Sequence, residues 1–315
     1  MRKRKSLEKF MWVEKYRPES IENVILPNDF KKYFESVIED GETGNLLLYS
    51  STPGSGKTSV ARAIARDLGV KPFYINISNE GGIDVLRTDV SKYASIKTLD
   101  GKPKIVIMDE FDGASRNLQD ALRADIEKFS NSCRFIMVCN YITKIIDPLK
   151  EGRTQVFDFN MTENSVKNEM YPKIYNRLTG ILKNENVEYD GDTVQELIKR
   201  YFPNIRKMIS LLQKYSKING MIDNQIFKYT VIDDEYLTLI QEGELTKART
   251  YALDKNFDFD EMYTVLFRKF VPLLEKDSQP QAILVIADYM HQSATAIDKE
   301  ITYTACLIEL MNDCL

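Results

Sequence analysis

The chain is poor in the residues that build metal and redox sites. It has a single histidine, His291, and four cysteines, Cys133, Cys139, Cys306 and Cys314, in 315 residues. His291 has no second ligand-type residue near it, and the cysteines show no metal-ligand spacing. Neither a metal centre of that kind nor histidine catalysis gains support. Cys133 and Cys139 sit on an apolar, strand-like run, which suits reduced core thiols in a cytoplasmic protein, host cytoplasm if the source is viral. No apolar run approaches the ~20 residues that cross a bilayer. The charged start MRKRKSLEKF leads into no secretory-type apolar segment. A strong charge excess is missing too: the net charge is −4. That argues against a generalised attraction for nucleic acid, and any DNA contact needs a local basic face. The basic run Arg2 to Lys5 reads as a solvated terminus rather than a nucleic-acid arm. There is no internal repeat and no low-complexity linker.

What is present is an ordinary globular composition, 43% hydrophobic and 29% charged, long enough for about two domains or three small ones. From Asn45 to about Phe159, short apolar runs alternate with helical stretches. NLLLY, KPFYINI, KPKIVIMD, SCRFIMVCN and TQVFDF read as strands, and their alternation with helices predicts a mainly parallel, doubly wound sheet. After Phe159 the strand pattern stops. Two helix-start signals follow, Thr162 to Ser165 and Asp190 to Thr193. The stretches DFDEMYTVLFRKFVPLL and PQAILVIADYMHQSATAIDKEITYTACLIEL continue the helical pattern to the end. The change in periodicity divides the chain into 1–160, 161–230 and 231–315.

The chemistry begins at LLLYSSTPGSGKT, Leu46 to Thr58. A buried strand runs into a glycine-rich turn, and SVARAIARDLG then has helical spacing closed by Gly69. Strand, loop and helix in that order are the setting of a phosphate-binding loop. Gly54 and Gly56 let backbone N–H groups approach phosphate oxygens, and the helix start adds its partial positive charge. Thr52, Pro53, Ser55 and Ser59 complete the cradle. Lys57 reaches the β and γ phosphates, and Thr58 offers a hydroxyl to Mg²⁺. Ser51 stands where this pattern usually opens with glycine.

A second element, KIVIMDEFD, delivers Asp109 and Glu110 to the carboxyl end of a buried strand, where ligands sit in open α/β sheets. Asp109 is the expected Mg²⁺ carboxylate. Glu110 is suited to orient and deprotonate an attacking water, because phosphoryl transfer asks for positioning and charge neutralisation.

In order along the chain, Glu14 to Pro18 (EKYRP), the phosphate loop, Asp109-Glu110, Cys139-Asn140-Tyr141 with Lys144 to Pro148, and Phe202 to Arg206 (FPNIR) resemble the AAA+ clamp-loader ATPases. Local words (IDVLR, DEFD, FPNIRK) are most similar to those of the large clamp-loader subunits of T-even-like bacteriophages, and the replication factor C small subunits are similar more distantly. The resemblance covers the first two-thirds; the last third agrees in length and class only. It implies an AAA+ P-loop ATPase domain, a helical lid and an all-helical C-terminal collar that mediates oligomerisation. It further implies that Lys15, Tyr16 and Arg17, with Val24 and Ile25, cover the adenine. Asn140 matches the sensor of γ-phosphate or water, and Arg206 the second sensor, carried on the lid of the same subunit. Arg153, in KEGRT where clamp loaders carry Ser-Arg-Cys, matches the arginine that completes a neighbour's ATP site in trans, a role that suits a guanidinium. A solvated loop arginine is the rival reading.

The segment GIDVLRTDVSKYASIKTL resembles the family element that faces DNA and touches the sliding clamp. Arg87 is a phosphate-contact candidate, and Arg116 and Asn117 are further ones. Tyr93, Ile96 and Leu99 sit three apart, as clamp anchors on one helix face or as residues packed on the sheet. Gln119 and Arg123, at i, i+4 spacing, either link ATP sites or solvate a surface. The resulting expectation is an ATPase subunit of a sliding-clamp loader that uses ATP and Mg²⁺. It would work with clamp, primer-template DNA, further copies of itself and a smaller accessory subunit in a hetero-pentamer. An AAA+ helicase loader or junction remodeller, and a nucleotide-binding scaffold without turnover, remain as alternatives.

Overall fold

The computed structural model describes residues 10–80, 86–96, 103–229, 234–254, 259–293, 296 and 298–315. The chain divides after Asp223 into two compact units. In the first, each of the five apolar runs becomes a strand: β1 Leu46–Tyr49, β2 Phe73–Asn76, β3 Lys104–Asp109, β4 Cys133–Cys139 and β5 Gln155–Asp158. They form one parallel sheet in the order β2-β3-β4-β1-β5. Central position explains the continuous apolar runs of β1, β3 and β4, which are covered on both faces. Edge position explains the mixed character of β5, whose Phe157 is covered by Phe30, Tyr33 and Phe34 at ring-centroid distances of 5.2, 4.9 and 4.9 Å. From β1 the chain crosses to the far edge and fills inward, while β5 takes the other flank. The carboxyl ends of β1, β3 and β4 therefore open on one crevice, where ligands gather in such sheets.

The helices of this unit include α1 Trp12–Lys15, α2 Asn28–Asp40, α3 Lys57–Asp67, α4 Ser91–Ser95, α5 Arg116–Lys128, α6 Asn164–Asn184, α7 Gly191–Tyr201 and α8 Ile205–Asn219, with single helical turns at Ile77–Glu80 and Asp147–Lys150. Asp190 caps α7, its carboxylate accepting from the Thr193 N–H at 2.9 Å. The other expected start differs: Glu163 occupies the cap of α6 and makes no side-chain capping bond. Strand structure also does not stop at Phe159. Glu188–Tyr189 and Met221–Ile222 pair as two parallel two-residue strands, too short for a period of two to show.

The N-terminal segment is strapped to α8. Trp12 is buried, its backbone N–H donates to Gln213 Oε1 at 2.9 Å, and Gln213 Nε2 donates to the Phe10 carbonyl at 2.6 Å.

The second unit consists of α9 Asp234–Gln241, α10 Leu245–Asp254, α11 Phe259–Val265, α12 Gln279–Ser293 and α13 Lys299–Asp313. They enclose a core of their own that includes Tyr236, Tyr263, Phe270 and Tyr303. Its two long helical stretches are both interrupted. After α11 the chain loosens through a π turn, Leu266–Phe270, and then tightens through a 3₁₀ turn, Val271–Leu273. The second stretch breaks between α12 and α13, where Asp298 caps the new helix by accepting from Glu300 N–H at 2.9 Å. No helix among the described residues is long and apolar enough to cross a membrane.

Candidate active site

The loop between β1 and α3 is held by backbone that only glycine adopts easily: Gly54 has φ +76° and Gly56 φ +101°. Gly54 also faces the lid. A Cβ there would lie 2.3 Å from Asn204 Oδ1 and 2.8 Å from Arg206 Cβ, and the Arg206 N–H donates to the Gly54 carbonyl at 3.3 Å. Absence of a side chain at one position thus lets α8 close onto the loop. Ser51, the departure from the usual glycine, has its own tie: its N–H and hydroxyl both donate to Asn160 Oδ1, at 2.8 and 2.7 Å.

Lys57 opens α3 and is 6% exposed. Its ammonium donates to three neutral oxygens, the Ser50 carbonyl at 3.2 Å, the Thr52 carbonyl at 3.4 Å and Asn140 Oδ1 at 3.1 Å. Burial lowers its pKa to about 8, against the opposing pull of Cys139, Asp109 and Asp112. A buried cation with only neutral acceptors carries a desolvation cost that a polyanion would offset. The Ser55 hydroxyl oxygen, buried and without a hydrogen-bond partner, adds an unsatisfied donor to the same loop.

At the end of β3, Asp109 is half-buried. Its Oδ1 accepts from the Glu110 N–H at 3.0 Å and its Oδ2 from the Tyr74 hydroxyl at 2.7 Å. Glu110 is exposed with φ +53°, a left-handed conformation uncommon for a non-glycine residue. Asp112 accepts from the Asn140 N–H at 3.2 Å, which fixes the end of β4 against the acidic turn.

These elements surround a cavity of about 250 Å³. Of the nucleotide-site residues expected from sequence, Tyr16, Arg17, Val24, Ile25, Pro53, Gly54, Ser55, Gly56, Lys57, Thr58, Ser59, Asp109, Glu110, Asn140 and Arg206 line it together. Thr52 contributes its carbonyl to Lys57 instead. Lys15 stands off the cavity, paired with Glu185 at 2.5 Å. Sequence reasoning missed Arg177, a lining residue on α6 that donates to the Tyr16 carbonyl and whose pKa burial lowers. It also missed the apolar floor of Val13, Ile205 and Ile209. Arg177 lies among the lysines of a long helix, and nothing local points to a site.

Arg153 is not among the lining residues. Its guanidinium donates to Glu127 at 2.6 and 3.0 Å and to the Pro148 carbonyl at 2.9 Å, on the surface beyond α5. Gln119 is neither a surface residue nor a partner of Arg123: it is 2% exposed, whereas Arg123 is exposed. The Gln119 amide donates to the Ala114 and Lys144 carbonyls at 3.1 and 3.0 Å and accepts from the Ile146 N–H at 2.9 Å.

The DNA and clamp candidates diverge. Arg116 and Asn117 are exposed at the start of α5, behind its Ser115 cap. Arg87 has its backbone in the π turn Leu86–Val90, and its side chain and Leu99 lie outside the described residues. Tyr93 packs on the sheet, 5.4 Å from the Phe73 ring, and donates to the Lys71 carbonyl at 2.8 Å. Ile96 is 59% exposed, but α4 ends at Ser95 and Ile96 has extended backbone. Tyr93 and Ile96 therefore do not share a helix face, because the helix stops before the second of them.

Comparison with known proteins agrees with this architecture. Residues 47–161 match the family model of the ATPase family associated with various cellular activities (AAA). Residues 166–228 match that of the sliding-clamp-loader large subunit, AAA+ ATPase lid domain. The chain is 32% identical to the sliding-clamp-loader large subunit of Escherichia phage RB69, over 82% of this chain and 83% of that one. It is 31% identical to that of Enterobacteria phage T4 with the same coverage. The replication factor C small subunit of Archaeoglobus fulgidus is 33% identical over 85% of this chain and 86% of its own. Among solved structures, the RuvB Holliday junction branch migration motor of Thermotoga maritima superposes with TM-score 0.56 at 17% identity, covering 77% and 86% of the two chains. That likeness is one of fold.

Proposed function

The chain belongs to the sliding-clamp-loader family of AAA ATPases, and from that premise we propose how its residues divide the work. It is an ATPase subunit of a clamp loader, acting with a sliding clamp and DNA in a multi-subunit complex. We assign 1–160 to the ATPase domain, 161–230 to the lid and 231–315 to the collar, and the complex to a hetero-pentamer of copies of this chain with a smaller accessory subunit.

In this reading ATP binds in the cavity under the lid. Lys57 neutralises the β and γ phosphates, and the N–H groups and Ser55 hydroxyl of the loop donate to their oxygens. Tyr16, Arg17, Val24 and Ile25 hold the base. Thr58 and Asp109 supply the hard oxygen donors that suit Mg²⁺, which when bound would offset charge on the phosphates. Glu110 takes the proton of the attacking water. Asn140, joined to Lys57, and Arg206, delivered by the lid, respond to the terminal phosphate. Arg153 acts on the neighbour's nucleotide, a reading supported by its place outside its own cavity. Arg87, Arg116 and Asn117 remain our candidates for DNA phosphates, and the exposed Ile96, with Leu99, for the clamp, Tyr93 being engaged on the sheet.

One observation carries the assignment: Lys57 is buried among neutral acceptors in the same 250 Å³ cavity that receives Arg206 from the lid. The test is ATP turnover by the assembled complex with clamp and primed DNA, separately and together. Joint stimulation is expected. Stimulation by DNA alone would point to a remodelling motor, and no turnover would point to a scaffold.

A further inference from the structure

We infer that Tyr74 is a positioning residue for Asp109, holding the carboxylate in the orientation from which it serves Mg²⁺. The inference rests on the assignment of Asp109 as the metal carboxylate. Tyr74 lies on β2, the sheet edge, and pairs in parallel register opposite Ile107 of β3. Side chains alternate faces along a strand, so Tyr74, Ile107 and Asp109 project from one face, and a tyrosine spans the diagonal to the residue two further on. Its hydroxyl donates to Asp109 Oδ2 at 2.7 Å, while the Glu110 N–H holds Oδ1 at 3.0 Å. A carboxylate at a strand end turns freely about its last torsion. One donor on each oxygen stops that rotation, and each oxygen keeps a lone pair.

The tyrosine is itself held. The Arg62 guanidinium, from the helix that follows the phosphate loop, lies over its ring at 4.4 Å from the centroid. This is the geometry of a cation on an aromatic face. The stack therefore runs from the phosphate-loop helix through a phenol to the acidic end of β3, tying two parts of the site that no backbone bond joins. Filling the edge does not require the hydroxyl: Tyr74 is 38% exposed, and phenylalanine would cover the same surface.

The test compares wild type, Tyr74→Phe and Asp109→Asn by the affinity for a fluorescent, non-hydrolysable ATP analogue in saturating Mg²⁺ and in EDTA. Outer partners of metal ligands typically cost 10- to 100-fold in metal affinity or activity when removed. The expected result for Tyr74→Phe is unchanged affinity in EDTA, an unchanged thermal midpoint and an affinity gain from Mg²⁺ reduced about tenfold. A wild-type Mg²⁺ gain in Tyr74→Phe, beside a reduced one in Asp109→Asn, would overturn the role of the tyrosine alone. An equal loss in EDTA and Mg²⁺ would make it merely structural. A wild-type Mg²⁺ gain in Asp109→Asn would remove the metal assignment beneath it.

Discussion

Lys57 and Arg153 are both cations expected to meet the same triphosphate group, and their surroundings are opposite. Lys57 is buried, held by two carbonyls and an amide oxygen, with its pKa pulled down by desolvation. Arg153 is on the surface beyond α5, paired with a carboxylate whose pKa it lowers. A buried cation is positioned at a cost and gives that cost back when an anion arrives. A surface cation with its own counter-ion costs the fold little and is worth little to it, and is free to serve another chain. On the roles we propose for these two residues, the contrast separates what a protomer does alone from what it does for its neighbour.

That contrast can be broken most sharply at Arg153. Arg153→Ala should leave nucleotide binding within about twofold while turnover of the assembled complex falls about 10³-fold, the lower end for arginine fingers. Unchanged turnover would return Arg153 to the role of a solvated loop residue. On the other side of the comparison, Glu110→Gln should bind ATP normally and slow single-turnover hydrolysis about 10²-fold, the lower range for a general base. Ordinary hydrolysis would remove Glu110 from that role. Gly54→Ala asks whether the lid must close on the loop. Left-handed backbone costs an L-residue roughly 1–2 kcal/mol, and the clash with Asn204 adds to it, so nucleotide affinity should drop about tenfold or more by equilibrium titration.

Proton linkage offers a milder test of the buried lysine. Between pH 8 and 10.5 the unfolded chain binds a proton at Lys57 that the folded chain has lost. Stability without nucleotide should therefore gain a Lys57 contribution that rises with pH across this window, while nucleotide affinity falls as pH passes about 8, because phosphate requires the ammonium. Lys57→Met should flatten the stability component in chemical denaturation. The smallest effect belongs to Glu127→Gln. Loss of this exposed pair should leave the urea unfolding midpoint essentially where it is in the wild type.

The legible parts of the molecule were those where chemistry is local. Five strands, the loop from Ser51 to Thr58 and the Asp109-Glu110 pair could be read because apolar runs, glycines and carboxylates sit within a few residues of one another. The illegible parts depend on partners far along the chain. Tyr74 looks like any edge-strand aromatic until Asp109, 35 positions on, is placed beside it. Gln119 reads as a polar surface residue on an amphipathic helix, and only the returning segment at Lys144 and Ile146 makes it a buried tie. The interrupted helices of the second unit escaped for another reason: apolar residues continue through the π turn at Leu266–Phe270, so the hydrophobic pattern gives no sign of the change in pitch.

The strap from Phe10 and Trp12 to Gln213 has a mechanical consequence. The segment carrying Tyr16 and Arg17, which we assign to the base, is anchored on the same helix whose first turn carries Arg206. On those assignments, swinging that helix outward would tug on the Tyr16–Arg17 segment as well, so the proposed grips on the two ends of the nucleotide would behave as two jaws on a common pivot.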